Sequence, residues 1–384
     1  MEYKTASLSL HKKYKGKLAT RVVTPVKTKR DMSLVYTPGV GEVSKEIAKN
    51  SNRVFDYTIK AHTVAIVSDG SAVLGLGNIG PKAAIPVMEG KAVLFKTFAN
   101  LDAFPICLDT QDPDEIIKTV KYISPVFGAI NLEDISAPRC FDIEKSLQNI
   151  GVPVMHDDQH GTAVVVLAGI INAVKVAKKD IKKTKVVILG AGAAGNAIAK
   201  IFVNKVQDIL VLDRQGILSI KRNDLDIHKK ELAKLTNKNN ITGKLSDAIK
   251  GADIFVGVSG PNLISHNDIQ LMADRAIVFA LANPIPEILP ENAKKAGAFI
   301  VATGRSDFPN QVNNSLAFPG IFKGALDAKV KRITMDMKIA AAHALSSMVK
   351  NPTPNKIIPG PFDVGVVEKV SSAVYKVAIK RSTV

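Results

Sequence analysis

From residue 180 onward the apolar positions fall into a regular rhythm. Short runs at 185–189, 209–212, 254–258, 277–281 and 299–302 are built from Val, Ile, Leu, Phe and Ala, and polar or amphipathic stretches separate them. Apolar runs of this length, bounded by Gly, Asn and Asp, mark strands buried on both faces. Their alternation with helix-length segments predicts a doubly wound parallel sheet. The first half is less regular. Runs at 64–68, 92–95, 105–108, 129–132 and 152–155 read as strands, a glycine-rich loop spans 73–80, and Pro81 is placed to open a helix. Asp112 can cap a helix over 112–122, with Pro113 in its first turn. The first fifteen residues are basic and amphipathic, and 42–49 looks helical.

The longest apolar stretch, 163–177, is broken by Asn172 and Lys175. It falls short of the ~20 residues a bilayer span needs, so a buried helix is expected. After a polar loop at 304–320, which carries Asn310, Asn313 and Asn314, the pattern turns mainly helical. The expected fold is therefore α/β: one α/β domain over 1–160, a Rossmann-type domain over 161–320, and helices over 321–384 that pack back on the first domain.

A chain of 384 residues is comfortable for two domains. Its net charge of +17 raises nucleic acid or an anionic membrane as partners. The lysines are spread along the chain, aromatics are only 5%, and no nucleic-acid motif is visible. The expectation is a solvated basic surface that attracts small anions, with no nucleic acid and no membrane. Cys107 and Cys140 have no CxxC partner, and the chain begins Met-Glu-Tyr-Lys without an apolar leader. Inert thiols and a cytoplasmic location follow.

Two features carry chemistry. Gly190-Ala191-Gly192-Ala193-Ala194-Gly195 follows one strand and opens a helix, and Asp213 ends the next strand. This is a dinucleotide fingerprint: the glycines admit a tight turn and a pyrophosphate at the helix N-terminus, and the acid faces the adenine ribose. A second match, Gly75 to Gly80, lacks such an acid and reads as a structural loop. The other feature is a pair of acidic doublets, Glu133-Asp134 and Asp157-Asp158, each at the exit of a strand. Carboxylates so close to a core need a partner, and Mg²⁺ or Mn²⁺ suits oxygen donors. Helix caps and surface acids are the plainer alternative. Lys91, at the start of an apolar segment, is expected to be half-buried with a lowered pKa, fit to act as a base. Tyr36 stands in an apolar run before a Pro-Gly turn. Taken singly, Lys91 is more often a solvated lysine and Tyr36 a core tyrosine.

Together these motifs resemble the short bacterial and archaeal malic enzymes. The resemblance rests on Tyr36-Thr37-Pro38-Gly39-Val40, Ser68-Asp69-Gly70-Ser71, Gly75 to Gly80, Glu133-Asp134-Ile135, the stretch His156 to Ala163, Ala282-Asn283-Pro284, and Asn313-Asn314 before Phe318-Pro319-Gly320. It covers about 10–370. It implies oxidative decarboxylation of (S)-malate to pyruvate and CO₂ with reduction of NAD or NADP. Glu133, Asp134 and Asp158 would hold the divalent ion. Lys91 would take the hydroxyl proton, Tyr36 would protonate the enol, and Asp157 would orient Lys91. Gly190, Gly192, Ala193, Ala194, Gly195, Asp213 and Asn283 would face the cofactor, and Asn283 and Asn314, with Lys91, the substrate. NAD is slightly favoured through Asp213, although Arg214, Lys221 and Arg222 could accept a 2′-phosphate. A homodimer or higher oligomer is expected. The alternatives are a malolactic or oxaloacetate-decarboxylating relative, a metal-free enzyme of the amino-acid dehydrogenase type, or a nucleotide-sensing module.

Overall fold

A computed structural model describes residues 2–73 and 75–382; Leu74, which falls in the loop expected at 73–80, lies outside the described residues, as do Met1, Thr383 and Val384. Two separate sheets organise the chain. The first contains β1 (Thr63–Ser68), β2 (Asp102–Cys107), β3 (Ala129–Leu132) and β4 (Val154–His156), in the order β2-β1-β3-β4, all parallel. The second contains β5 (Lys185–Leu189), β6 (Asp208–Asp213), β7 (Gly216–Ile217), β8 (Ile254–Gly257), β9 (Ile277–Ala280) and β10 (Ile300–Thr303). Its order is β10-β9-β8-β5-β6-β7. Only the two-residue β7 runs antiparallel, and no apolar run announced it. The chain winds one way from β5 to β6 and the other way to β8. The crevice of a doubly wound sheet lies at that reversal, outside the C-terminal strand ends.

One expected strand is not a strand. Residues 92–95 lie inside the helix Gly80–Ala99, with Pro81 in its first turn. Four apolar residues in a row suit either element. Here Met88, Ala92, Phe95 and Ala99 share a buried face at helical spacing.

The helix Asp157–Val176 leaves β4 without a loop. It is long and apolar enough to cross a membrane, but 72% of its apolar window is buried inside the protein. It packs against Ala193–Phe202 on one side and Met335–Met348 on the other. Asn172, which breaks its apolar run, donates to the carbonyls of Ser346 and Ile357 at 2.8 and 2.9 Å. The C-terminal helices reach back to the first sheet's helix: the Phe95 ring lies 4.7 Å from Phe318 and 5.4 Å from Phe322. The N-terminal arm is different. From Thr5 to Ile59 no residue is buried.

Candidate active site

The ends of β3 and β4 lie side by side, because Leu132 pairs with His156 in a parallel register. That register delivers both acidic doublets to one place. Glu133, Asp134 and Asp158 each turn one carboxylate oxygen inward, and these atoms lie within 4.8 Å of one another. Asp134 adopts a left-handed backbone (φ 54°), unusual for a residue with a side chain. Ala72 N–H donates to its carbonyl at 2.9 Å and its own N–H donates to Asp158 Oδ2 at 2.8 Å. Asn131 Nδ2 donates to Glu133 Oε2 at 2.9 Å.

Lys91 reaches this cluster from the helix Gly80–Ala99. Its Nζ lies 2.6 Å from Glu133 Oε2 and donates to Asp157 Oδ2, with the Phe318 ring 4.3 Å away. Asn314 Nδ2 donates to the same Asp157 oxygen at 2.6 Å. Gly161 is required one turn on: a Cβ there would stand 1.8 Å from Asp157 Oδ1. The expectation for Lys91 is corrected on two points. It is buried rather than half-buried, and its pKa is raised, not lowered. Burial pulls it down, but Asp157, Glu133 and Asp158 together outweigh burial and hold the ammonium charged. Burial in turn pushes the carboxyls of Glu133, Asp157 and Asp158 up, with Lys91 opposing. Three buried or half-buried carboxylates, those of Glu133, Asp157 and Asp158, thus face one ammonium, and Asp134 joins two of them in the cluster. This oxygen-only donor set fits a hard divalent cation such as Mg²⁺ or Mn²⁺.

A cleft of about 530 Å³ opens between the segment after β3 and the ends of β5, β6 and β8. Ala137 and Phe141 line one wall, and Gly190, Gly192, Asp213 and Ser259 the other. The glycines differ in role. Gly190 has φ +119° and approaches the carbonyl of Val258, and a Cβ on Gly195 would stand 1.7 Å from Gly190 O. Nothing lies within 4 Å of the same point on Gly192, which caps the ten-residue helix Ala193–Phe202. That open cap fits a pyrophosphate. Ala193 and Ala194 form the first turn. Asp213 lines the cleft, but Arg222 and Lys229 already hold its carboxylate. Of the two cations, only Arg222 was among those expected to matter.

Asn283 follows β9 and is exposed, with Gly304 leaving room for its amide. Gly75, at φ +73°, lets the first domain's glycine loop come so close that a Cβ would stand 2.4 Å from Asn283 O. The second GxGxxG match is therefore a close-contact loop. Tyr36 is the residue the structure does not bring in. It is 71% exposed at the end of the helix Lys29–Val35, and no hydrogen bond among the described residues joins it to Lys91 or the acids.

Several supporting residues escaped the sequence reading. Asp69 is fully buried, held by Arg139 at 2.8 Å, and with Ser71 supports the turn beneath Asp134. Glu144 accepts from His156 N–H at 3.1 Å and faces His160 Nε2 at 2.9 Å, bracketing the Asp157-Asp158 doublet. Asp69 stands in the motif Ser68 to Ser71 already singled out, whereas Glu144, in the helix Arg139–Leu147, belongs to none of the motifs named. A single acid gives no sign in sequence of being buried.

Comparison with known proteins covers nearly all of the chain. Residues 15–148 match the family model for the malic enzyme N-terminal domain, and 159–381 that for the malic enzyme NAD binding domain. The bifunctional malic/malolactic enzyme of Bacillus subtilis is 51% identical over 385 residues, 99% of this chain and 94% of the relative. The NAD-dependent malic enzyme of Geobacillus stearothermophilus is 54% identical over 369 residues, covering 95% and 77%. The crystal structure of the NAD-dependent malic enzyme of Thermotoga maritima superposes with a TM-score of 0.93 at 49% identity, covering 96% of this chain and 98% of that one.

Proposed function

The chain belongs to the malic enzyme family, and from that premise we propose that its acid cluster and its glycine cleft act together in the oxidative decarboxylation of (S)-malate to pyruvate and CO₂. NAD or NADP bound at the Gly190 to Gly195 loop would supply the hydride acceptor for C2, and a divalent ion held by Glu133, Asp134 and Asp158 would supply the charge that polarises the C2 oxygen. The observation that carries the reading is the convergence of Glu133, Asp134 and Asp158, with Lys91 on Glu133, in a chain that also carries the glycine cleft. We assign the catalytic domain to 1–160, the NAD(P) domain to 161–320 and the C-terminal helices to 321–384.

Glu133, Asp134 and Asp158 are the residues that would hold Mg²⁺ or Mn²⁺. Lys91 takes the proton from the C2 hydroxyl. In the resting cluster its ammonium is held charged by the acids, so it becomes a base only when their charge is engaged elsewhere. Asp157, shared between Lys91 and Asn314, aims the amine. Asn314 and Asn283 bind the substrate carboxylates. Phe318 closes one side of Lys91 and keeps water from it. Tyr36 protonates the enol at C3. Its arm presents Leu8, Val22, Val23, Leu34 and Tyr36 to solvent. Such an apolar surface supports a homodimer, in which a second copy covers the arm. The Asp213 carboxylate gives NAD a slight advantage. The enzyme works in the cytoplasm.

One assay tests the reading. Malate with Mn²⁺ and either NAD or NADP should yield reduced cofactor and pyruvate in equal amounts. Lactate without net reduction of the cofactor would mark the malolactic outcome instead, and neither product would refute the proposal.

A further inference from the structure

Glu287 lies four residues beyond Asn283 and takes no part in the chemistry above. Its carboxyl is fully buried. Among the described residues no cation pairs with it, although burial pushes its pKa up. Its partners are backbone donors. Ser259 N–H donates to Oε1 at 3.0 Å and Ala282 N–H to Oε2 at 3.0 Å. Ser259 belongs to the loop that leaves β8, and Ala282 to the loop that leaves β9. The same segment accepts twice more through its main chain, from Asn262 N–H to Pro286 O at 3.1 Å and from Ile264 N–H to Glu287 O at 3.3 Å. Space is reserved for the carboxyl: a Cβ on Gly257, the last residue of β8, would stand 2.4 Å from its carbon.

A buried acid with no cation needs its donors, and each donor here sits on a loop at the C-terminal edge of the sheet. In a doubly wound sheet that edge is where the dinucleotide lies. Ser259 lines the glycine cleft and Asn283 adjoins Ala282. We propose that Glu287 is a positioning residue for the nicotinamide half of the cofactor, tying the β8 and β9 loops together so that Ser259 and Asn283 meet the ring and its ribose in fixed places. This rests on the reading of Asn283 as a residue that faces cofactor and substrate. The carboxylate cannot be replaced by its amide without loss. Gln has one acceptor oxygen, so its NH₂ would be turned against one of the two backbone N–H groups, donor against donor, and one loop would let go.

The test compares two ligands on the intact enzyme. NADH reports both halves of the site through its own fluorescence. ADP, used as a competitor, reports only the half at Gly190 to Gly195. Glu287→Gln should raise the Kd of NADH about tenfold or more while moving that of ADP less than about twofold. Gly257→Ala, which crowds the carboxyl from the other side, should give the same pattern. Unchanged NADH binding in both variants overturns the proposal. So does a parallel loss of NADH and ADP, which would make Glu287 a general prop of the domain. Asn283→Ala separates the two layers. If it weakens NADH while Glu287→Gln does not, only the positioning role falls. If it leaves both NADH binding and the KM for malate untouched, the reading of Asn283 falls and takes the proposal with it.

Discussion

Arg222 grips Asp213 with two prongs: Nη1 donates to Oδ1 at 2.8 Å and Nη2 to Oδ2 at 3.2 Å. Lys229 adds 2.9 Å to Oδ2, and Gln215 N–H adds 3.0 Å to Oδ1. Burial would raise the carboxyl's pKa, but these donors hold it down at about 2. The acid proposed to face the ribose is thus already engaged, and its removal would set two cations free at the place proposed for a 2′-phosphate. Asp213→Ser should raise the NADP to NAD ratio of kcat/KM by roughly tenfold to a hundredfold, about 1–3 kcal/mol. Arg222→Ala should move the ratio the other way. An unchanged ratio in both variants would show that this cluster does not face the ribose.

Activity should depend strictly on Mg²⁺ or Mn²⁺. Asp158→Ala removes one of three converging oxygens and should abolish turnover, lower Mn²⁺ affinity in a direct titration, and leave NADH binding measurable. Full activity in excess chelator would refute the metal assignment.

Lys91→Ala and Tyr36→Phe should fail at different steps. Without Lys91 the hydroxyl proton has no acceptor, so hydride transfer stops and no reduced cofactor forms. Tyr36→Phe should still reduce the cofactor in a first turnover but release ketonised pyruvate slowly. Loss of hydride transfer in Tyr36→Phe, or unchanged steady-state turnover, would remove the acid role.

Glu144 gives a stability prediction with a definite sign. Burial raises its pKa, yet His160, Lys338 and His156 outweigh burial and bring it to about 2, against 4.5 in an unfolded chain. Between these values the unfolded chain holds more protons, so stability falls as the pH falls. The contribution, about 3 kcal/mol, is complete above pH 4.5. Glu144→Gln lacks it. In urea unfolding the wild type should therefore exceed the variant near neutral pH and lose that lead progressively as the pH falls from 4.5 toward about 2. A gap that stays constant with pH would mean that folding does not shift the Glu144 pKa.

Most of the second sheet was legible because its strands are short, apolar and punctuated by Gly, Asn or Asp. The acid doublets were legible too, since each closes such a strand. What could not be read was direction. Residues 92–95 carry the same apolar letters as a strand, and only the buried stripe Met88-Ala92-Phe95-Ala99 shows the helix. Tyr36 sits among apolar letters yet is exposed, because its neighbours cover nothing within the chain. Lys229 lies sixteen residues from Asp213, and Glu287 sits in a loop of prolines. Both matter through contacts made only after the sheet has formed.

The helix Asp157–Val176 begins with two of the site's acids and then runs through a core shared with helices from both halves of the chain. The enzyme therefore has no seam along which it could be cut into working pieces. A fragment ending before this helix would lose Asp157 and Asp158 along with the wall its own sheet packs on. A fragment beginning with it would expose a twenty-residue apolar rod to water. Chemistry and cohesion share one rod, so heat should melt both sheets in a single calorimetric transition, and catalytic competence should vanish with it.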